Sequence, residues 1–298
     1  MNAATQLRVR GLYDAVLRWS SRADNREFMF VEPRERLARL ANGEALPLGV
    51  LLTTLEFLDS WYSAVNIADL ARDRTSDFAT LHLGHRYGFW DTLIAQAASQ
   101  ALRGAKRRPQ LSARTVAIRT ARAAALGSLR DCRVLGTCLT KGLESDLFVP
   151  DGSIIAPFVV HLFCEWQGIA APQVVVRSEI MTGVLESWTE EDPERMGAAL
   201  MAACEFHLEQ AHEDTDEKTY DFADQVYAAY PVEILMVLQC RRDRGLVLPA
   251  LEHPLMTMPL GRLMDLTDAR AQDDGLLRRV VDRARQQYSL DGLFEDGA

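Results

Sequence analysis

"LPLGVLLTTLEFLDSWYSAVNIADLARDR", residues 46–74, decides how the rest of the chain is read. Leu48, Leu51, Leu52, Leu55, Leu58, Tyr62 and Val65 recur at three- and four-residue steps, the period of a helix with its apolar stripe turned inward. Glu56, Asp59 and Ser63 fall between them and are expected on the opposite, polar side. A helix this long and apolar needs other helices to cover it.

Helical periodicity continues in both directions. Residues 75–105 read as a second long helix, capped by Thr75 or Ser76 and ended by the basic turn "GAKRRPQ" before Pro109. From Leu111 a helix-rich region runs to about Gly142, with a break expected near Gly127. "QVVVRS" (173–178) has local β propensity, but three valines make no sheet, and Pro172 is read as opening a helix. "TEEDPERMGAALMAACEFHLEQAHED" (189–214) carries acids in its first turn and Pro193 near the first helical position. Its inward face should hold Met196, Ala199, Leu200, Ala203 and Phe206. In "TYDFADQVYAAY", Phe222, Val226 and Tyr230 fall on one face.

Pro231 opens a helix in which Ile234, Leu235, Met236, Val237 and Leu238 surround the axis, so it should lie centrally. Arg241, Arg242 and Arg244 complement its negative end, and Gly245 supplies a left-handed cap. Pro249, Pro254 and Pro259 should then hold the chain extended over the surface. A last helix spans about Leu276 to Tyr288. No period-two pattern persists and no repeat of fixed length is present. The expectation is an all-α array of roughly ten to twelve packed helices without a substantial sheet. It should form one compact unit over 1–298, and "ESDLFVPDGS" (144–153) marks where it would subdivide into 1–145 and 146–298.

The chain has 298 residues, 48% hydrophobic and 25% charged, enough for a sizeable core without staples. Five scattered cysteines (Cys132, Cys138, Cys164, Cys204 and Cys240), none in C-x-x-C spacing, read as buried free thiols. The N-terminus lacks the continuous apolar core of a secretory signal, and no stretch approaches 18 uncharged apolar residues. The reading is a cytoplasmic protein with no membrane partner. Its charge is uneven. Residues 1–150 carry 21 Lys/Arg against 15 Asp/Glu, and residues 151–298 carry 12 against 27, so the net −9 divides into +6 and −15. Such a field steers an oppositely charged partner.

Catalytic patterns are scarce. Glu209 and His212 form an E-x-x-H pair on one helix face, but a di-iron bundle needs two such pairs, and no second exists. His82 and His85 share a face beside Tyr87, Phe89 and Trp90, where two imidazoles would need a third ligand to hold a metal. Asp273-Asp274 lacks the further acid of a metal-diphosphate motif. G-x-S-x-G, P-loop and dinucleotide glycine patterns are absent. The reading is a non-enzyme with no cofactor and no metal. A metal-dependent all-α enzyme using His82, His85 or the Glu209/His212 pair stays as an alternative.

Two charged features bear on partners. "RGAKRRP" (103–109) is basic, and if one helix ran unbroken past Gly127, Arg119, Arg122, Arg130 and Arg133 would also share one face, a stripe able to bind phosphates. The sequence pI near 5.3 argues against it, and nucleic acid is not the expected partner. A helical scaffold or regulator binding another macromolecule through that stripe is a further alternative. The sharper feature is "EDTDEKTYDFAD" (213–224). Glu213, Asp214, Asp216, Glu217, Tyr220 and Asp221 are read there as a docking patch for a basic partner, carboxylates standing where phosphates would.

The region from about Pro193 to Leu263 resembles the C-terminal part of bacterial immunity proteins of the immunity protein 49 family. The resemblance is carried by "MGAALMAACEFHLEQAHED" and by "PVEILMVLQCRRDRGLVLPALEHPLMTMPLGRL" (231–263), with a looser likeness in "SLRDCRVLGTCLTKGL" (128–143). It covers about a third of the chain and consists of helix-packing residues. It implies an antitoxin that binds and occludes a cognate secreted toxin and so protects the producing cell. No catalytic residue comes with it.

Overall fold

The computed structural model describes residues 3–73, 78–102, 111–145, 147–149, 152–264, 274–288 and 290. The fold is all-α, with eleven helices of seven or more residues among the described residues. The first layer is α1 (Ala3–Ser20), then α2 (Ala23–Arg26), which passes through a π-helical turn at Glu27–Val31 into α3 (Glu32–Ala41). These pack on α4 (Leu48–Asp73), which pairs along its length with α5 (Ala79–Ala101). The expected caps Thr75 and Ser76 lie outside the described residues.

α4 departs from the expected two-sided helix. Leu51, Leu55, Leu58 and Tyr62 are buried as anticipated, but so are Thr54, Asp59, Ser63 and Asn66. The reason lies in α5, where two glycines four residues apart let its backbone lie against the polar side of α4. A methyl group at Gly84 would stand 2.7 Å from Ser63 Oγ, and one at Gly88 would stand 2.1 Å from Asp59 Oδ2. No real side chain tolerates those distances.

The next layer is α6 (Ala113–Ala125), α7 (Leu129–Glu144) and α8 (Ile155–Gln167). Ser112 caps α6 by accepting from the Thr115 amide. Gly127 adopts φ +71° and separates α6 from α7, so the break expected there is present and the arginine stripe is not continuous. Arg119 and Arg122 are buried inside the protein, which removes them from any phosphate-binding surface. The strand content among the described residues is a two-residue parallel bridge, β1 (Leu111–Ser112) on β2 (Phe148–Val149).

Residues 171–178 form no helix, which corrects the one expected after Pro172: the chain bends at Gln173, where the Val174 amide donates to the Pro172 carbonyl at 2.8 Å. Val174 and Val176 pack on the core while Val175 faces out, and His161 Nε2 donates to the Val174 carbonyl at 2.8 Å. Alternating valines anchor this segment as a strand would, without a strand partner among the described residues. α9 (Glu179–Ser187) and α10 (Pro193–Gln210) follow, capped by Ser178 and Asp192. After an irregular loop come α11 (Gln225–Ala228) and α12 (Val232–Asp243).

α12 is central: every residue from Val232 to Arg241 is buried, and it packs on α6, α8 and α10. Gly245 takes φ +71°, as a left-handed cap requires. Pro254 and Pro259 do not hold the chain extended. Each opens a short helical turn, α13 (Pro254–Thr257) and a 3-10 turn (Pro259–Gly261), because a proline's missing N–H is no loss at a first helical position. Leu255 and Leu260 from these turns are buried.

The last helix, α14 (Gly275–Gln287), lies on α3 and α5. Asp274 caps it through the Leu276 amide and accepts from Arg34 at 2.9 Å and Tyr87 at 2.7 Å. Partial burial raises the Asp274 carboxyl, but the bonds from Tyr87 and Arg34 outweigh it and hold the group below its ordinary range. Asp274 is therefore a helix latch.

Candidate functional site

The acidic loop between α10 and α11 is braced by two arginines distant in sequence, Arg8 of α1 and Arg114 of α6. Arg8 Nη2 donates to the Leu208 carbonyl at 2.5 Å and contacts His212 Nε2 at 2.9 Å. Arg114 Nη1 donates to the Tyr220 carbonyl at 2.5 Å, and its Nη2 meets Asp214 Oδ2 at 3.4 Å. Inside the loop the Tyr220 amide donates to Asp214 Oδ1 at 2.6 Å, and Thr215 and Lys218 close a turn. The Lys218 ammonium sits 4.3 Å from the centre of the Tyr220 ring, a cation–π contact.

The six residues expected to form a docking patch divide in three. Glu213, Asp216 and Glu217 are exposed and form no ion pair among the described residues. Asp214 is exposed but committed to Arg114 and the Tyr220 amide, while Tyr220 is half-buried under Lys218. Asp221 corrects the expectation. It is 5% exposed and accepts from Ser153 Oγ at 2.5 Å and the Ile154 amide at 3.0 Å. It ties the loop to the start of α8 and is withdrawn from the loop's outer surface. Burial raises its carboxyl above the ordinary range, against those hydrogen bonds.

Next to the loop lies a recess of about 160 Å³, with Glu56, Arg114, Arg119, Asp221, Asp224 and Tyr227 on its walls and Asp59 at its base. An open groove of about 810 Å³ adjoins it and shares Glu56, Thr115 and Arg119. Leu48, Leu52, Leu102 and Leu111 form the groove's apolar side, and Asp91 its buried end.

Behind the recess is a charge network that no local motif announced. Arg122 donates from Nη1 and Nη2 to the two oxygens of Asp59, at 2.6 and 2.9 Å. Arg119 donates to Asp91 at 2.5 Å and to Thr92 Oγ1 at 3.0 Å, with its Nε 3.4 Å from Asp59. The Arg122 guanidinium stands 5.6 Å from the centre of the Tyr227 ring. Burial pushes the Asp91 carboxyl up to about 6, Arg119 pulls it down, and the charges of Glu56 and Asp59 add to the rise. The signal for this network was present: Asp59 and Ser63 four apart on α4 face Gly84 and Gly88 four apart on α5. Reading it required knowing that the two helices touch.

The histidines do not converge on an ion. His85 Nε2 contacts Asp131 Oδ2 at 3.1 Å, and Arg86 reaches the same oxygen at 3.4 Å. Burial, with help from His85 and Arg122, lowers His82 to about 4, and burial lowers His85 as well. Both are therefore neutral at pH 7. Glu209 and His212 are separated in role: Glu209 is exposed, and His212 meets Arg8 and lies against Tyr220. Among the described residues no group of three or more His, Cys, Asp or Glu is placed to hold a metal ion.

One cluster resembles a nucleophile with its base. His207 Nδ1 lies 2.8 Å from Glu233 Oε1, and Cys204 shares the same face of α10 one turn earlier. All three are fully buried, and burial with the charge of Glu233 pushes the thiol well above its ordinary value. Nucleophilic chemistry needs the thiolate, and burial disfavours that form of Cys204. The other four cysteines are also free and buried.

No helix among the described residues is long and apolar enough to cross a membrane. Comparison with known proteins finds no matching family model, no matching curated protein and no matching solved structure.

Proposed function

We propose that this chain is a binding protein of the immunity type, which neutralises a toxin by docking on its basic surface and transforms no substrate itself. One observation carries the reading. Among the described residues Glu213, Asp216 and Glu217 form no ion pair, and they stand exposed on a loop braced by Arg8 at the last turn of α10 and by Arg114 at Tyr220. Holding the loop in advance lowers the ordering cost of binding, and its free carboxylates steer a cationic partner. The charge of −15 over residues 151–298 extends the same field. The likeness of residues 193–263 to the immunity protein 49 family supplies the partner class, a toxin encoded beside this protein.

The test is co-expression of the neighbouring reading frame's product, followed by purification of the complex. The expected result is a 1:1 complex and survival of cells that make both proteins. The reading fails if the neighbouring product is not toxic, or if it is toxic and this chain neither binds it nor protects.

A further inference from the structure

The recess beside the acidic loop has a charge and a shape that the loop reading leaves unused. Five carboxylates belong to the recess and its groove: Glu56, Asp59, Asp91, Asp221 and Asp224. Three guanidiniums oppose them, Arg114 and Arg119 on the walls and Arg122 behind Asp59. The site is thus short of positive charge, and an anion would be repelled from it. Glu56 is exposed to the recess and makes no ion pair among the described residues, and among the same residues the Asp224 carboxylate accepts from the Val226 amide it caps. Asp59, Asp91 and Arg119 are each more than nine-tenths buried and locked to one another, so the walls are rigid before anything binds. The groove adds an apolar approach, Leu48, Leu52, Leu102 and Leu111, leading to the shared residues Glu56, Thr115 and Arg119.

We propose that groove and recess together receive an alkyl chain ending in a cation, the arginine or lysine side chain of the basic partner. The methylene stem lies along the leucines and the cation sits between Glu56 and Asp224, beside the Tyr227 ring. Stems of this kind cover apolar surface while their heads stay with charge. A buried anchor of this sort, next to a charged rim, is where binding energy concentrates in an interface. The proposal rests on the immunity reading for the origin of the side chain, and on the recess alone for its chemistry.

The probe is butylguanidinium, with butylurea as its neutral counterpart, titrated by calorimetry and by NMR shifts at Asp224 and Tyr227. Saturable butylguanidinium binding is expected, weakened on the order of tenfold in the double variant Glu56→Gln/Asp224→Asn, with butylurea inert. Both positions are exposed and asparagine also caps helices, so the variant should fold; circular dichroism checks this. The variant Glu213→Lys/Asp216→Lys/Glu217→Lys should keep full butylguanidinium binding even where the neighbouring product no longer docks, so the two ideas fail separately. No saturable butylguanidinium binding to the wild type, or binding equal in the double variant, overturns the recess. Butylguanidinium binding with unchanged affinity of the double variant for the neighbouring product overturns the side-chain assignment in favour of a free small cation.

Discussion

The carboxylate of Asp59 on α4 accepts both terminal nitrogens of Arg122 on α6, at 2.6 and 2.9 Å, with neither side chain open to solvent. A two-pronged pair of this kind, taken out of water, stabilises only while both partners are present. Asp59→Asn should therefore destabilise the protein by about 3 kcal/mol, the penalty for a buried guanidinium left uncompensated. Asp59→Leu/Arg122→Met should lose much less. Urea unfolding of the two variants decides the matter; equal losses would mean that packing and not charge holds these helices together.

Gly88 makes that pair sterically feasible. Gly88→Ala would place a methyl 2.1 Å from Asp59 Oδ2 and 2.8 Å from Arg122 Nη2, and should cost about 2 kcal/mol or more. Gly11→Ala is the control: its site on α1 has nothing within 4 Å of the added methyl, so helix propensity should stabilise it by about 0.5–1 kcal/mol. Thermal denaturation should move the two variants in opposite directions.

His82 predicts the response to acid. Its folded value is lowered to about 4 from 6.5, mainly by burial, so the unfolded chain binds the proton first. The stability associated with a neutral His82 is complete above pH 6.5 and disappears as the pH falls toward 4, by roughly 3 kcal/mol in full. His82→Gln should be less stable at pH 7 but flatter between pH 7 and 4.5. Parallel stability curves for wild type and variant would contradict the assignment.

Asp221 separates architecture from recognition. Asp221→Ala removes the acceptor of Ser153 and of the Ile154 amide, and should cost about 1–2 kcal/mol. Because the side chain is buried, association with a basic partner should proceed at an unchanged rate. A variant that folds normally but associates slowly would place Asp221 on the docking surface after all.

The all-α class was legible because periodicity and helix-end chemistry agree along most of the chain. The stripe from Leu51 to Tyr62, Pro193 at the start of α10 and Gly245 at the end of α12 behave as local rules require. Local rules failed where two outcomes are locally equivalent. A proline can open a helix or keep the chain out of one; no helix follows Pro172 directly, where one is expected, and Pro254 opens a helical turn where extended chain is expected. The acidic loop was legible as charge, yet its division into free Glu213, Asp216 and Glu217 and inward-turned Asp221 depends on Ser153 and Arg114, far away in sequence. The recess was not legible at all. It is assembled from α4, α6 and the segment leading into α11, and nothing within one of those segments marks their meeting.

In the proposed function, exposed loop carboxylates guide a basic toxin onto this protein. The direct measurement is the association rate of the neighbouring reading frame's product with wild type and with Glu213→Lys/Asp216→Lys/Glu217→Lys, across a range of ionic strength. Association of the variant should be slowed on the order of tenfold or more at low salt, with a flattened salt dependence and little change in dissociation. A variant that associates as fast as the wild type at every ionic strength, and still protects the cell, would contradict it.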